Sequence, residues 1–454
     1  MIRSSFLSIG LIGICMVWVF LPAYGAEKSV VSLTLEQSIG MALRENEAIK
    51  LARTDVKKSR AQVKEAWASV LPKIDVSVNH TANWLLPSTV FDTPTGRQTV
   101  TIGTRYNTTG SVTFRQPVYS GGKTRAALQV AKSFMAVAEA GSLLVHQQVK
   151  VLVETAFCDL LLAQELVAVS EQALLQAKAN LAQTESLHRV GRVSNYEVLR
   201  AKVQVAEQRP DSLRARNNLE LAANVFKNVV GLDQNVTVQL DGSFRTESAL
   251  DTLWLNDLMR EGTRQRPEIQ RLQAQIHVQA QNIKIEKAAS RPTIDLTANG
   301  QLQAQSNSFG FNKDDAQKSW TTGIALSVPI FDGLRTRSRV TQATLDLQRA
   351  EIERKQLERD ISLQIRQAWS DLEEVRKRVD AQEIVVAHAE QGVSIVTSRY
   401  ANGMSTQLEV LDGQLVLTRA RIAAVQALRD RAVALVRLEQ VAGYCDERHF
   451  DWRE

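Results

Sequence analysis

Residues 73–84 read KIDVSVNHTANW. Ile74, Val76, Val78, Ala82 and Trp84 share one parity, while Asp75, Ser77, Asn79, Thr81 and Asn83 share the other. A period of two with one apolar and one polar face is that of a β-strand. Three further stretches carry it. In 99–118, Val100, Ile102, Tyr106, Val112 and Phe114 oppose Thr101, Arg105, Asn107, Thr109, Ser111, Thr113 and Arg115. In 293–305, Ile294, Leu296, Ala298 and Leu302 oppose Asp295, Thr297, Asn299, Gln301 and Gln303. In 319–331, Trp320, Ile324, Leu326 and Val328 oppose Thr321, Gly323, Ala325 and Ser327. Four two-faced strands, at about 73–85, 99–118, 293–305 and 319–331, thus sit in a chain that otherwise reads as long charged helices.

Such strands suit a soluble sandwich only if another apolar layer covers them, and the surrounding helical segments offer none. Their length also matches a tilted membrane strand. Four strands cannot close a barrel, since the smallest closed membrane barrels have eight. Open edges in lipid leave backbone N–H and C=O groups unpaired at a cost of several kcal/mol each. Strands in lipid therefore require several chains to share one barrel. Two copies would give eight strands and an interior filled by side chains; three give twelve and a water-filled bore. A pore favours the homotrimer.

The chain is written twice. VLPKIDVSVN (70–79) matches SRPTIDLTAN (290–299) at a displacement of 220. RQPVYSGGKTR (115–125) matches SVPIFDGLRTR (327–337), and GRVSNYEVL (191–199) matches GMSTQLEVL (403–411), both at 212. The eight missing residues fall between the two strands, where the first copy carries the longer loop PSTVFDTPTGRQ, as an exposed tip would tolerate. The reading is a first repeat over 26–250, with long helices over about 122–230, and a second over 251–454, with long helices over about 334–443.

From Leu334 to Tyr400 there is no proline and Gly392 is the only glycine; a helix of that length runs roughly 100 Å. Ile361, Ile365, Ala368, Leu372, Val375 and Val379 alternate spacings of four and three, the seam of a coiled coil. Ala and Val recur where a globular core would carry Phe or Leu, which suits helices lying close in a thin wall. Pro210 has Ile422 as its duplicate and lacks a backbone donor, so a bend or break is expected in the first copy only.

At the turns between long helices, Gly191 and Gly403 can supply the left-handed residue that ends a helix. Ser194 and Thr406 precede Glu197 and Glu409 by three, the capping box that starts the next. These signals alone define no more than helical hairpins. Glu409 and Asp412, three apart on one helix face, would become six carboxylates around a trimer axis, an electronegative constriction favouring cations.

At the N-terminus, Arg3, the 16-residue apolar run Phe6–Leu21, Pro22 and the small residues Ala23 and Gly25 read as a secretory signal over 1–25. The run is short for a membrane anchor, which needs about 20 residues. Lipidation at Cys15 is disfavoured because bulky Ile14 precedes it. Cys158 and Cys445 remain in the mature chain; whether they pair is open. The net charge is +6, from 55 basic and 49 acidic residues interleaved along helices, which excludes a nucleic-acid surface built on concentrated charge. No glycine-rich phosphate loop or nucleophile elbow occurs, and His80, His146, His188, His277, His388 and His449 lack metal-ligand spacing. No catalytic, cofactor-binding or metal-binding residue is expected.

From LTLEQSIGMALRENEAI (33–49), through both strand pairs and PVYSGGKTRAAL, to RLEQVAGY (437–444), the chain resembles the TolC-like outer-membrane efflux factors of Gram-negative bacteria. The resemblance implies a mainly α fold with membrane β: a homotrimer in the outer membrane, with a 12-stranded β-barrel continued by an α-helical periplasmic barrel. It implies a passive exit duct for tripartite efflux or type I secretion. The expected partners are a periplasmic adaptor (membrane fusion) protein and an inner-membrane RND, ABC or MFS transporter. The family's selectivity ring aligns with Glu409 and Asp412, and its gate-holding contacts with Glu197 and Tyr400. A basic gate partner of the family falls on Ser405, leaving a Tyr–Glu hydrogen bond as the candidate latch. Adaptor contacts would lie at Gly191, Arg192, Ser194, Gly403 and Ser405. Trp84, Tyr106 and Trp320 suit a lipid interface, with ordinary strand packing as the alternative. The competing reading of the whole chain is a periplasmic coiled-coil scaffold or adaptor without a pore.

Overall fold

The computed structural model describes residues 30–94, 96–245, 254–309 and 316–444. The chain runs β1 (Val30–Leu33), α1 (Leu35–Glu45), α2 (Glu47–Ala68), β2 (Lys73–Ala82), β3 (Ser88–Thr93), β4 (Gly96–Thr101), β5 (Tyr106–Tyr119), α3 (Lys123–Arg189), α4 (Asn195–Val230) and β6 (Thr237–Leu240). It continues with α5 (Leu255–Gln265), α6 (Pro267–Ala288), β7 (Thr293–Ser306), β8 (Ala316–Ser327), α7 (Arg335–Ala401) and α8 (Gln407–Val441). Helix lengths recur in the two halves: 11 and 11 residues for α1 and α5, 22 and 22 for α2 and α6, 67 and 67 for α3 and α7, 36 and 35 for α4 and α8.

The strands β2, β5, β7 and β8 form one antiparallel sheet in the order β2-β5-β7-β8. Its register aligns the apolar parity across all four: Val76 opposes Val112, Val112 opposes Gly300, and Gly300 opposes Trp320. Ile74, Phe114 and Ala298 form another such row. The opposite face carries Ser77, Ser111, Gln301 and Ser319 in one row. Sequence periodicity has thus become one mainly apolar face, interrupted by His80, Thr108, Lys318 and Thr322, backed by one mainly polar face. β2 and β8 are the outer strands, and each has a free backbone edge among the described residues.

Several expectations are corrected here. The second strand does not begin near residue 99. Val100 lies in β4, which pairs with β3 as a separate hairpin, and Ile102 falls between β4 and β5. Gly103, at φ 105°, supplies a left-handed residue in that gap, so matching parity before and after it does not mean one strand. The other strands end or begin a few residues from their expected limits, β2 at Ala82 and β8 at Ala316 and Ser327. Of the bend or break expected at Pro210, no break occurs: α4 runs from Asn195 to Val230 with Pro210 inside it. Pro210 is exposed, so water can serve the carbonyl one turn back that loses its N–H partner. The expected signal segment, Cys15, Cys445 and the repeat boundary at 250/251 lie outside the described residues.

Helix α3, roughly 100 Å long, is the spine. It packs against α2 and α4 from the first half and α6 and α8 from the second. Asn46 joins the stacked ends of α2 and α4: its side chain accepts from the Ala48 N–H at 2.9 Å as an N-cap and donates to the Val229 carbonyl at 2.8 Å. Between α1, α2, α3 and α4, Ile49, Val153, Phe157, Leu160, Phe226 and Val230 make one core. Parallel pairing of β1 with β6 closes over it, and neither strand was expected. The predicted seam of α7 is buried throughout: Ile361, Ile365, Ala368 and Leu372 pack on Leu258, Leu435 and Leu438, and Val375 and Val379 on Ala427. An ionic ladder crosses the wall, from Asp159 on α3 to Arg429 on α8 at 2.7 Å, and from Asp430 on α8 to Arg378 on α7 at 2.9 Å. Among the described residues no helix is long and apolar enough to cross a membrane.

Candidate functional site

The helical layer places two sites far apart, because α3 starts four residues after β5 and runs its full length to the hairpin turn. At one end is the sheet. On its outer strands Val76, Val78, Ile324 and Leu326 are between 65% and 75% exposed, so the apolar face is uncovered among the described residues. Aromatic groups collect toward its far rim. Trp84 lies under the Arg105 guanidinium at 5.8 Å, and Tyr106 packs edge-on against Phe309 at 5.5 Å. His80 stacks on Tyr106 and shares a hydrogen bond with the Thr108 hydroxyl at 2.8 Å. Trp320 lies instead within β8, its ring over Gly300.

At the other end are the two hairpin turns, and they are built alike. Gly191 and Gly403 both sit at φ 74°. The Arg192 N–H donates back to the Leu187 carbonyl at 2.9 Å, and Met404 N–H to Arg399 at 2.8 Å, so each turn closes the helix end that precedes it. Ser194 and Thr406 then cap α4 and α8 by accepting from the N–H groups of Glu197 and Glu409. Gly191, Arg192, Ser194 and Gly403 are exposed and Ser405 is half-buried.

The acids stand out from this scaffold. Glu409 and Asp412 are exposed on the first turns of α8. The Ser405 hydroxyl donates to the Glu409 carboxylate at 2.5 Å and the Thr406 hydroxyl donates at 3.2 Å. These two donors, the Ser405 bond foremost, lower the Glu409 carboxyl below its ordinary value, with Arg399 adding a smaller Coulombic pull. Ser405, where a basic residue was looked for, therefore holds the acid in its charged form.

Tyr400 is brought to Glu197, but not by a hydrogen bond between them. Its ring is 95% buried against α3, and its hydroxyl makes no hydrogen bond among the described residues. Burial raises the phenol above its ordinary value; the nearby Thr184 hydroxyl counters that, and the negative charge of Glu197 adds to it. Thr184 spends its own proton on the Asn180 carbonyl at 2.8 Å. The bond that does join the hairpins here was not foreseen: the buried Gln407 side chain donates to the Glu197 carbonyl at 3.0 Å. The Asn180 amide nitrogen and the Gln407 carbonyl oxygen also lack partners. Buried polar atoms left unpaired each cost about 1–3 kcal/mol, so these orphans weaken the contact between the two tips. Sequence patterning could flag Gln407 only as an N1 residue, because its burial depends on a helix more than 200 positions away.

Residues 38–232 and 258–444 match the family model described as outer membrane efflux protein. The outer membrane efflux protein BepC of Brucella suis biovar 1 is 24% identical over 417 residues, covering 92% of this chain and 86% of that protein. The outer membrane protein TolC of Escherichia coli K12 is 21% identical, covering 65% of this chain and 61% of its own length. Among solved structures, the outer membrane protein VceC of Vibrio cholerae superposes with a TM-score of 0.74 at 22% identity, over 90% of this chain and 96% of that one. The chain belongs to the outer membrane efflux protein family, and it is an efflux channel of the outer membrane.

Proposed function

We propose that three copies close one barrel and one helical duct, which conducts without chemistry of its own. The observation that carries this is the open sheet: four strands with an exposed apolar face and two free edges are stable in lipid only when other copies complete the ladder. Twelve strands leave a bore where eight would fill with side chains. The polar face of Ser77, Ser111, Gln301 and Ser319 would line it. Residues 1–25 would be removed as the secretory signal, and the two repeats, 26–250 and 251–454, would alternate around the duct.

At the far end, Glu409 and Asp412 from each copy would form the cation-selecting ring. Tyr400, seated beside Thr184 and within the field of Glu197, would hold the α7–α8 hairpin against the α3–α4 hairpin. Its unpaired hydroxyl, with the unpaired Asn180 amide nitrogen and Gln407 carbonyl oxygen, supports a resting contact that a partner can undo. A periplasmic adaptor would take hold at Gly191–Ser194 and Gly403–Ser405, and an inner-membrane RND, ABC or MFS transporter would supply the energy. A poreless scaffold leaves the uncovered apolar sheet without a role.

Amine cross-linking of the detergent-extracted protein should trap a trimer, and bilayer recordings should show cation-preferring conductance. A soluble monomer, or a protein released without detergent, would refute the reading.

A further inference from the structure

The two halves of the chain meet inside one subunit through β5 and β7. That junction is a template for the seam between subunits, given the trimeric closure proposed above. The hairpins β2–β5 and β7–β8 have equivalent registers: Ile74 opposes Phe114, and their duplicates Ile294 and Leu326 oppose each other. The displacement is therefore 220 for β2 to β7 and 212 for β5 to β8. Carrying β5 to β8 and β7 back to β2 turns the internal β5–β7 register into one for β8 against the β2 of a second copy. Internal pairs Arg115–Thr297, Phe114–Ala298 and Thr108–Ala304 become Ser327, Leu326 and Trp320 opposite the partner's Ser77, Val78 and Trp84.

We propose that β8 pairs antiparallel with the partner's β2 and the residues just after it in this register, setting Ser327 opposite the partner's Ser77 and Trp320 opposite the partner's Trp84. The parity is right, since Leu326 and Val78 are both on the apolar face and Ser327 and Ser77 both on the polar one. A slip of one residue would put every β2 side chain on the wrong face. The exposures fit as well. Trp84 and Trp320 are 81% and 78% exposed in the single chain, whereas β5 and β7 between the edges are mostly half-buried.

The lower end of the internal junction supports the same occupant. There the first-half loop packs tightly on the end of α6: Arg291 donates to the Gly121 carbonyl at 3.1 Å, and a Cβ on Gly121 would lie 2.8 Å from that of Arg291. The duplicate loop contains Ile330 and Phe331, which nothing covers among the described residues; the duplicate of Arg291 is Leu71, also exposed. In the seam, an apolar contact takes the place of the arginine's hydrogen bond.

The test is a pair of nearly isosteric substitutions in the full-length protein, Ser77→Cys with Ser327→Cys, oxidised in outer membranes and run without reductant. Covalent trimer should be the main product, several-fold more abundant than with Thr81→Cys and Ser327→Cys, a pair displaced by four residues. The unsubstituted protein, with Cys158 and Cys445 in place, controls for native thiols. Preferential trapping of the displaced pair would overturn the register while leaving the trimer standing. Absence of covalent oligomer from both pairs, in a wild-type protein that amine reagents do trap as a trimer, would also overturn it. Failure of the amine reagents as well would sink the trimer itself. A second pair on the apolar face, Val78→Cys with Leu326→Cys, repeats the measurement should the first disturb folding, and must give the same ranking.

Discussion

Replacing Tyr400 separates a latch made of packing from one made of a hydrogen bond. The ring is 95% buried, and truncating a buried aromatic to alanine costs about 3–5 kcal/mol. Its hydroxyl is unpaired, and deleting an orphaned hydroxyl returns about 1–3 kcal/mol. Tyr400→Ala should therefore weaken the tip contact by about 2 kcal/mol in each subunit, a shift of roughly thirtyfold in the local opening equilibrium. Tyr400→Phe keeps the ring and loses only the orphan, so the closed tip should hold better, by about 1–3 kcal/mol. In planar bilayers the alanine variant should show a raised resting open probability, and cells carrying it should admit large antibiotics that an intact outer membrane excludes. The phenylalanine variant should match or fall below the parent in both assays. If phenylalanine leaks as much as alanine, the hydroxyl has a partner in the assembled channel and the packing account is wrong.

Other outcomes follow from the same structure. Glu409→Gln with Asp412→Asn should abolish cation preference, measured as a reversal-potential shift; unchanged selectivity would move the ring elsewhere. Because the Ser405 and Thr406 hydroxyls hold the Glu409 carboxyl below its ordinary value, its charge should persist as pH falls through the usual carboxylate range. Ser405→Ala should then make selectivity fade at a higher pH. Glu154, buried on α3, has its carboxyl pushed up from 4.5 to about 7, mainly by burial, with Glu439 adding and Lys150 and Arg245 opposing. A raised carboxyl stabilises the fold fully below pH 4.5, and that contribution is lost as pH rises toward 7. The loss is on the order of 3 kcal/mol, so Glu154→Gln should flatten the pH dependence of thermal unfolding and raise Tm at pH 8. Val78→Arg should block assembly, as a charge on the lipid face of a barrel costs about 2–4 kcal/mol, whereas Asn79→Lys on the polar face should assemble normally in outer-membrane fractions.

Much of the architecture is legible in local pattern. The seam Ile361–Val379 is buried as its spacing requires, and the strand parities of β2, β7 and β8 survive in the sheet. The equal displacement of the later motifs foretells paired helices of equal length. What failed locally failed for a physical reason. The 99–118 segment keeps one parity across a left-handed glycine, so periodicity could not detect that β4 folds back on β3. Pro210 leaves its helix unbroken, and its exposed position lets water serve the carbonyl that loses its partner. The candidate site was legible in its acids and its turns, which depend on spacings of three. It was not legible in Gln407, Thr184 or the unpaired Tyr400 hydroxyl, which depend on which hairpin lies against which.

By itself the sequence determined the alternating faces, the long helices, the duplication and the capped turns, because each arises from neighbours within a few residues or from comparison of one half with the other. Only the tertiary structure decided that β5 adjoins β7, that β1 pairs with β6 across more than 200 residues, that Asp159 meets Arg429, and that the Tyr400 ring is sealed while its hydroxyl goes unpaired. Those pairings are contacts between distant segments, and they are selected by the joint packing of the whole chain, to which no local periodicity responds.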